Sequence, residues 1–198
     1  MKNKRIQEHF NESAELNFKS AGNLVFPVAQ AVDLIFAALS QGCKILVCGN
    51  GGSAANGQHF AAGLIGQFER ERLPLPALAL STDCSILTSV GSDYGYRDIF
   101  SKQIRAFGQS GDVLLAISTS GNSVNIINAI EAAQERDMRI VAMTGQVGGE
   151  IGGLLSEEDV HICVPHERQA RIHEVHLLII HCLCDGIDAA LFGGDENE

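Results

Sequence analysis

No stretch of this chain is apolar for long enough to cross a membrane as a helix, and the opening residues MKNKRIQEHFNESAEL lack the apolar middle of a signal peptide. Both absences predict a cytoplasmic protein with no membrane partner. Basic charge is scarce: 14 Lys and Arg against 24 Asp and Glu give a net charge of −10. That surplus argues against direct contact with nucleic acid, whose phosphates are held by Lys and Arg, but not against a basic protein partner. Paired Cys-x-x-Cys spacing is also missing. Cys43, Cys48, Cys84, Cys163, Cys182 and Cys184 fall largely in apolar segments, where a thiol acts as a small apolar filler, and all are expected to be reduced. No linker or low-complexity segment divides the 198 residues, which are 45% hydrophobic, so a single domain with a substantial core is expected.

What is present has a clear period. Residues 3–20 and 24–41 are predicted to form two helices. In the second, Val28, Val32, Ile35, Phe36 and Leu39 make one apolar stripe, with Asn23 as cap, Pro27 in the first turn and Gly42 as stop. The pattern then switches to short apolar runs: KILVCGNGG, PALALSTD, DVLLAISTSG, RIVAMTG and DVHICVP. Each ends in small or turn-forming residues, as buried parallel strands do. Helical segments such as NSVNIINAIEAAQERD lie between them. The expected fold is therefore α/β: a doubly wound five-stranded parallel sheet flanked by helices, with two N-terminal helices and a long buried C-terminal helix. The expected segments are a helical extension 1–42, a sheet core 43–166, a helix 167–191 and an acidic tail 192–198.

Ligands of open α/β sheets bind where the strands end. GNGGSAAN, Gly49 to Asn56, offers Asn50, Gly51 and Gly52, whose backbone N–H groups approach an anion closely, and the hydroxyl of Ser53. STSGNS, Ser118 to Ser123, adds Ser118, Thr119, Ser120 and Ser123 at an equivalent strand end. Many short neutral donors without a lysine suit a phosphate monoester. The spacing Gly49-x-Gly51-x-x-Ala54 also matches a relaxed dinucleotide fingerprint, but that motif needs an acidic residue about 20 positions on, and Asp83 lies farther away. A lone histidine in an apolar helix is usually a hydrogen-bonded core residue, the reading taken for His176. His161 and His166 are assigned no role, and Arg70 and Arg72 in ERER are expected on a solvated face or in an intersubunit ion-pair network.

The segments CGNGGSAANGQHF, FERERLPLPALAL, SDYGYRDIFSKQIRA, GDVLLAISTSGNS and ARIHEVHLLIIHCLCDGID resemble the sugar isomerase (SIS) domain family, and within it the phosphoheptose isomerases. The resemblance covers nearly the whole chain. It implies a homotetramer with active sites between subunits. The implied reaction interconverts sedoheptulose 7-phosphate and D-glycero-D-manno-heptose 7-phosphate, on the way to lipopolysaccharide core heptose. It implies phosphate contacts at Ser53, Ser118, Thr119, Ser120 and Ser123, and a substrate-facing pair at Ser92-Asp93, where the family has Asn-Asp. His59 matches the family's first zinc-binding histidine and His181 its catalytic histidine. The family's glutamate, both zinc ligand and base, is Gly63 here; its glutamine ligand is His173; its first-loop aspartate is Asn56.

Isomerisation needs a base at the carbon acid, and glycine supplies none. His59, His173 and His181 are the expected compensation: three imidazoles around a zinc ion whose bound water ionises near neutral pH. Three readings stay open. One is a phosphoheptose isomerase that is slow or altered. The second is a non-catalytic tetrameric regulator similar to the DnaA initiator-associating branch of the family, binding the replication initiator DnaA. The third is a sensor whose sugar-phosphate occupancy biases a partner.

Overall fold

The computed structural model describes residues 2–193. In chain order the elements are α1 (Lys2–Ser40), β1 (Ile45–Gly49), α2 (Gly52–Ile65), β2 (Ala77–Ala79), α3 (Cys84–Asp93), a 3₁₀ turn (Tyr96–Asp98), α4 (Ser101–Phe107), β3 (Val113–Ser118), α5 (Val124–Gln134), β4 (Arg139–Gly145), α6 (Ile151–Leu154), β5 (Val160–Val164) and α7 (Gln169–Phe192). The five strands are the five apolar runs read from the sequence. They form one parallel sheet in the order β2-β1-β3-β4-β5. The last part of the expected acidic tail, residues 194–198, lies outside the described residues.

The two expected N-terminal stretches are both helical, but they join into the single helix α1, with Pro27 inside it. Asn23 does not act as a cap. Pro27 has no N–H for the Asn23 carbonyl, and an interior proline costs about 3 kcal/mol. A continuous stripe outweighs this: Leu16, Ser20, Leu24, Ala31, Ile35 and Ala38 are buried at spacings of three, four or seven, straight through the proposed break. That face lies on α7 and β5. The approach to α7 is close, for a Cβ on Gly186 would come within 2.8 Å of Val32 Cγ2. By length and composition alone α1 is long and apolar enough to cross a membrane, contrary to the expectation from the sequence. Its apolar residues divide between a face packed on α7 and β5 and an exposed set, Phe10, Phe18, Val25 and Phe26, so only 22% of the apolar stretch is buried.

Helices cover both faces of the sheet. One apolar cluster joins α1, α2 and α7 to side chains such as Val47, Leu115 and Met143. The other joins α4 and α5 to Leu46, Leu114 and Ala142 on the opposite face. Alternate residues of a strand face opposite ways, so a parallel sheet covered on both sides is apolar throughout. α7 buries Ile172, Val175, Ile179, Ile180, Leu183, Cys184 and Ile187, yet Leu177 and Leu178 stay exposed. It is therefore buried on most of its circumference rather than all of it. From β1 the chain runs to β2 on one side, then crosses to β3 on the other. The crevice beyond the ends of β1 and β3 is the switch point of the sheet, where such folds bind ligands.

Candidate functional site

Two loops meet at that crevice. After β1 the chain must turn within three residues into α2. Gly51 takes a φ of 54°, and a Cβ on Gly49 would lie 2.7 Å from the Ser53 backbone. Only glycine allows a turn this tight, and it leaves the N–H groups at the start of α2 open to an anion. A Cβ on Gly52 would sit 2.9 Å from His173 Nε2, so the imidazole lies directly on the loop. After β3 the second loop closes on itself. Ser118 Oγ donates to Ser123 Oγ at 3.2 Å, and the Gly121 N–H donates to the Ser118 carbonyl at 3.1 Å.

Together the loops enclose a cavity of about 250 Å³. Asn50, Gly51, Gly52, Ser53, Ser118, Thr119, Ser120, Ser123 and His173 are brought together in its wall, and no Lys or Arg lines it. The starts of α2 and α5 converge there, adding the partial positive charge of two helix N-termini. Gln169 also lines it and was missed. The signal was present, since Gln169 precedes His173 by four residues and so shares its helix face. Asp93 is exposed at the end of α3 and is not part of the wall.

His59 and His181 form a second group. Their Nε2 atoms are 3.1 Å apart and their rings meet edge to face at 61°, with Phe68 beside His181. At this separation one Nε2 donates a hydrogen bond and the other accepts it, with the roles set by the tautomers. The separation also suits two corners of a tetrahedral metal site, where nitrogens about 2.0–2.1 Å from zinc lie roughly 3.3 Å apart. Among the described residues no third His, Cys, Asp or Glu is grouped with this pair. Among the described residues, and apart from the backbone of α2 itself, a Cβ built on Gly63 would meet only Cys184 Sγ within 4 Å, at 3.1 Å. The expected set of His59, His173 and His181 is not brought together, because His173 lies on Gly52 instead. Among the described residues no three His, Cys, Asp or Glu side chains are grouped to share a metal ion. The residues present thus do not fit a three-histidine centre. Gly63 lets α2 approach α7 rather than opening space for a ligand. Nearby, Asn56 Nδ2 donates to the His173 carbonyl at 3.2 Å, tying α2 to α7.

His176 is the core residue expected. It is fully buried, with Nε2 2.9 Å from the Thr144 carbonyl oxygen. Burial pushes its pKa down to about 4 from 6.5, so it is neutral when folded. Between those values the unfolded chain binds the extra proton, so this group's contribution is complete above pH 6.5 and is lost as pH falls towards 4. Urea unfolding from pH 7 to pH 5 should cost the wild type about 2 kcal/mol more than His176→Gln. Equal losses in the two proteins would show that His176 is not held neutral.

His161 accepts a structural role too. It is 2.7 Å from Thr144 Oγ1, and its ring would meet a Cβ on Gly148 or Gly152 at 2.7 or 3.1 Å. It supports the loop after β4, which in turn backs the Ser118–Ser123 loop. His166 faces Glu12, 3.7 Å away. Arg72 corrects the reading of ERER: it is neither solvated nor left for a partner subunit. Its side chain is 1% exposed and pairs with Asp188 of α7 at 2.6 Å. Arg70 donates to the Gly193 carbonyl at 2.9 Å.

A sequence profile of the SIS domain matches residues 5–145. The phosphoheptose isomerase of an Azoarcus strain is 58% identical over 192 residues, 97% of this chain and 98% of that protein. The solved structure of phosphoheptose isomerase GmhA from Neisseria gonorrhoeae superposes with a TM-score of 0.92 at 50% identity, covering 96% of this chain and 100% of that one. A phosphoheptose isomerase from Francisella tularensis superposes with a TM-score of 0.93 at 42% identity, covering 95% and 98%.

Proposed function

The chain belongs to the SIS-domain phosphoheptose isomerase family, and from that premise we propose that it binds a seven-carbon sugar phosphate in the cytoplasm, with the phosphoryl group in the cradle between β1 and β3. What supports this most is the convergence of two donor-rich loops and two helix N-termini on one cavity without a basic side chain. Such a site holds a dianion by many neutral hydrogen bonds and releases it readily. The proposed reaction interconverts sedoheptulose 7-phosphate and D-glycero-D-manno-heptose 7-phosphate. A proton leaves the hydroxyl-bearing carbon beside the carbonyl while the carbonyl oxygen gains one, giving the enediol; the carbon proton then returns to the former carbonyl carbon as the other hydroxyl gives up its proton. His181, coupled to His59, is the group assigned to move the carbon proton. Gly63 adds no carboxylate, so turnover is slow.

The test is isomerisation of sedoheptulose 7-phosphate by the wild type and by Gly63→Glu. A positioned general base is worth about 10²–10⁴-fold in rate, and a gain of that order is expected in the variant. Because a Cβ at position 63 presses on Cys184 Sγ at 3.1 Å, the variant is also made with Cys184→Ala. A wild type already as fast as both variants would mean that the base lies elsewhere. No binding of the sugar phosphate by calorimetry would remove the reading altogether.

A second reading is favoured by one observation: the cradle is complete while the base position holds glycine. We propose for this case a non-catalytic homotetramer that binds the replication initiator DnaA. An apolar groove between α1 and α7, with Leu24, Val28, Val32, Val175 and Ile179 in its walls, is the surface assigned to subunit contacts. Sedimentation gives the subunit number, and capture of purified initiator by an inert wild type would support this reading over the enzyme.

A further inference from the structure

We propose that Asn125 and Tyr96 are positioning residues for the anion cradle, fixing the Asn50 amide so that it turns an N–H, not its oxygen, towards the bound phosphoryl group. The proposal rests on the phosphate reading of the cavity. Asn50 is in the wall of that cavity, on the loop after β1. Asn125 is in the first turn of α5, behind the Ser118–Ser123 loop, and is 3% exposed. The two amides are 75 residues apart in sequence and bond reciprocally. Asn50 Nδ2 donates to Asn125 Oδ1 at 2.8 Å, and Asn125 Nδ2 donates to Asn50 Oδ1 at 2.8 Å. This is a direct side-chain tie between the loop after β1 and the first turn of α5, which follows the second loop.

A reciprocal amide pair has a symmetry problem. Turning both amides over at once restores the same two bonds with nitrogen and oxygen exchanged. The flipped state would present the carbonyl oxygen of Asn50 to the cavity, where it repels an anion. Tyr96 breaks the symmetry. Its hydroxyl donates to Asn50 Oδ1 at 2.9 Å. An amide oxygen has two acceptor sites, and both are now taken. In the flipped state the Tyr96 hydroxyl could only accept from the amide N–H, and a phenolic oxygen is a poorer acceptor than its O–H is a donor, so the observed orientation is favoured. What Asn50 has left is the second N–H of its Nδ2, the polarity that a phosphate requires.

Tyr96 is 64% exposed, so Tyr96→Phe removes one hydroxyl without disturbing the core. Asn125→Asp keeps an acceptor for Asn50 Nδ2, loses the donor to Asn50 Oδ1, and adds a negative charge behind the cradle. Calorimetric titration with inorganic phosphate and with sedoheptulose 7-phosphate should show about 5–10-fold weaker binding for Tyr96→Phe, the worth of one ordinary hydrogen bond. Asn125→Asp should lose about 10²-fold or more, as for a removed charge-facing donor plus a like charge. A merely structural role would not move one further readout. The side-chain amide resonance of Asn50, identified by its loss in Asn50→Asp, should shift on phosphate addition in the wild type and shift much less in Tyr96→Phe. If the wild type binds both ligands and Tyr96→Phe matches it in affinity and amide shift, the positioning role is wrong. If the wild type binds neither ligand, the cradle reading itself fails and takes this proposal with it. Should Asn125→Asp fold poorly, Tyr96→Phe decides alone.

Discussion

Replacing Arg72 by alanine should destabilise the protein by about 3–5 kcal/mol, the cost of breaking a buried ion pair by removing one partner. Arg72 Nε meets Asp188 Oδ1 at 2.6 Å, with the two side chains 1% and 6% exposed. The rest of the guanidinium is also engaged: its two terminal nitrogens donate to the Leu64 and Gly63 carbonyls, both at 2.7 Å. These carbonyls belong to the last turn of α2, where no intrahelical donor reaches them. One side chain thus caps α2 and pins it to α7. Alanine would leave Asp188 charged and buried, with its Oδ2 already unpartnered. Arg72→Lys should recover little, since one ammonium cannot reproduce the planar fork that reaches Asp188 and the Leu64 and Gly63 carbonyls at once. Arg72→Ala with Asp188→Leu should recover part of the loss, because the naked carboxylate is gone although the Gly63 carbonyl loses its Arg72 donor, the Leu64 carbonyl keeping the Leu75 N–H at 3.0 Å. Denaturant unfolding of the four proteins checks the order. A loss below about 1 kcal/mol in Arg72→Ala would place Arg72 with ordinary surface pairs.

Arg72 also marks a limit of reading the chain as a string. ERER looks like a solvated charge run, and its buried partner is 116 residues away. A trace of the pair was nonetheless present. Asp188 follows His176, Ile180 and Cys184 at intervals of four on the apolar stripe of α7, and a carboxylate there needs a cation. The strands were legible for the opposite reason. A parallel strand covered on both faces is apolar at every position, and each run is closed by residues that turn. The site loops were legible because a switch point must lie at strand ends. The join within α1 was not, because local signals at Asn23 and Pro27 favour a break and only contact with α7 overrules them. Nor was the outcome at Gly63. Its neighbour, Cys184, is supplied by a helix whose rotation about its axis no periodicity fixes to the needed few tenths of an ångström.

Gly121→Ala should cost about 10²-fold or more in sugar-phosphate affinity, the scale of a binding group misplaced by roughly 1 Å. Sequence composition gives Gly121 no more weight than its neighbours in STSGNS, but two independent constraints meet on it. Its φ is 67°, where an ordinary L-residue is strained by about 1 kcal/mol. A Cβ would overlap the Gly148 carbonyl oxygen and lie 2.9 Å from the Gly149 nitrogen. Both obstacles are backbone, so no rotamer change clears them. They are also held in place. The Ile151 N–H donates to the Gly121 carbonyl at 3.0 Å, the Glu150 N–H donates to Asn122 Oδ1 at 2.8 Å, and His161 supports Gly148 from behind. The loop that must move is therefore the one carrying Ser118, Thr119, Ser120 and Ser123, while the segment 148–151 stays. Once it moves, the Ser118–Ser123 bond opens and the hydroxyls no longer converge with the N-terminus of α2. Gly22→Ala serves as the control, since a Cβ there meets nothing within 4 Å. On an exposed helix position it should add up to about 1 kcal/mol of stability and leave binding unchanged. Calorimetry with sedoheptulose 7-phosphate, beside circular dichroism to confirm the fold, separates the two variants. Affinity retained in Gly121→Ala would mean that the phosphoryl group is not seated on the Ser118–Ser123 loop.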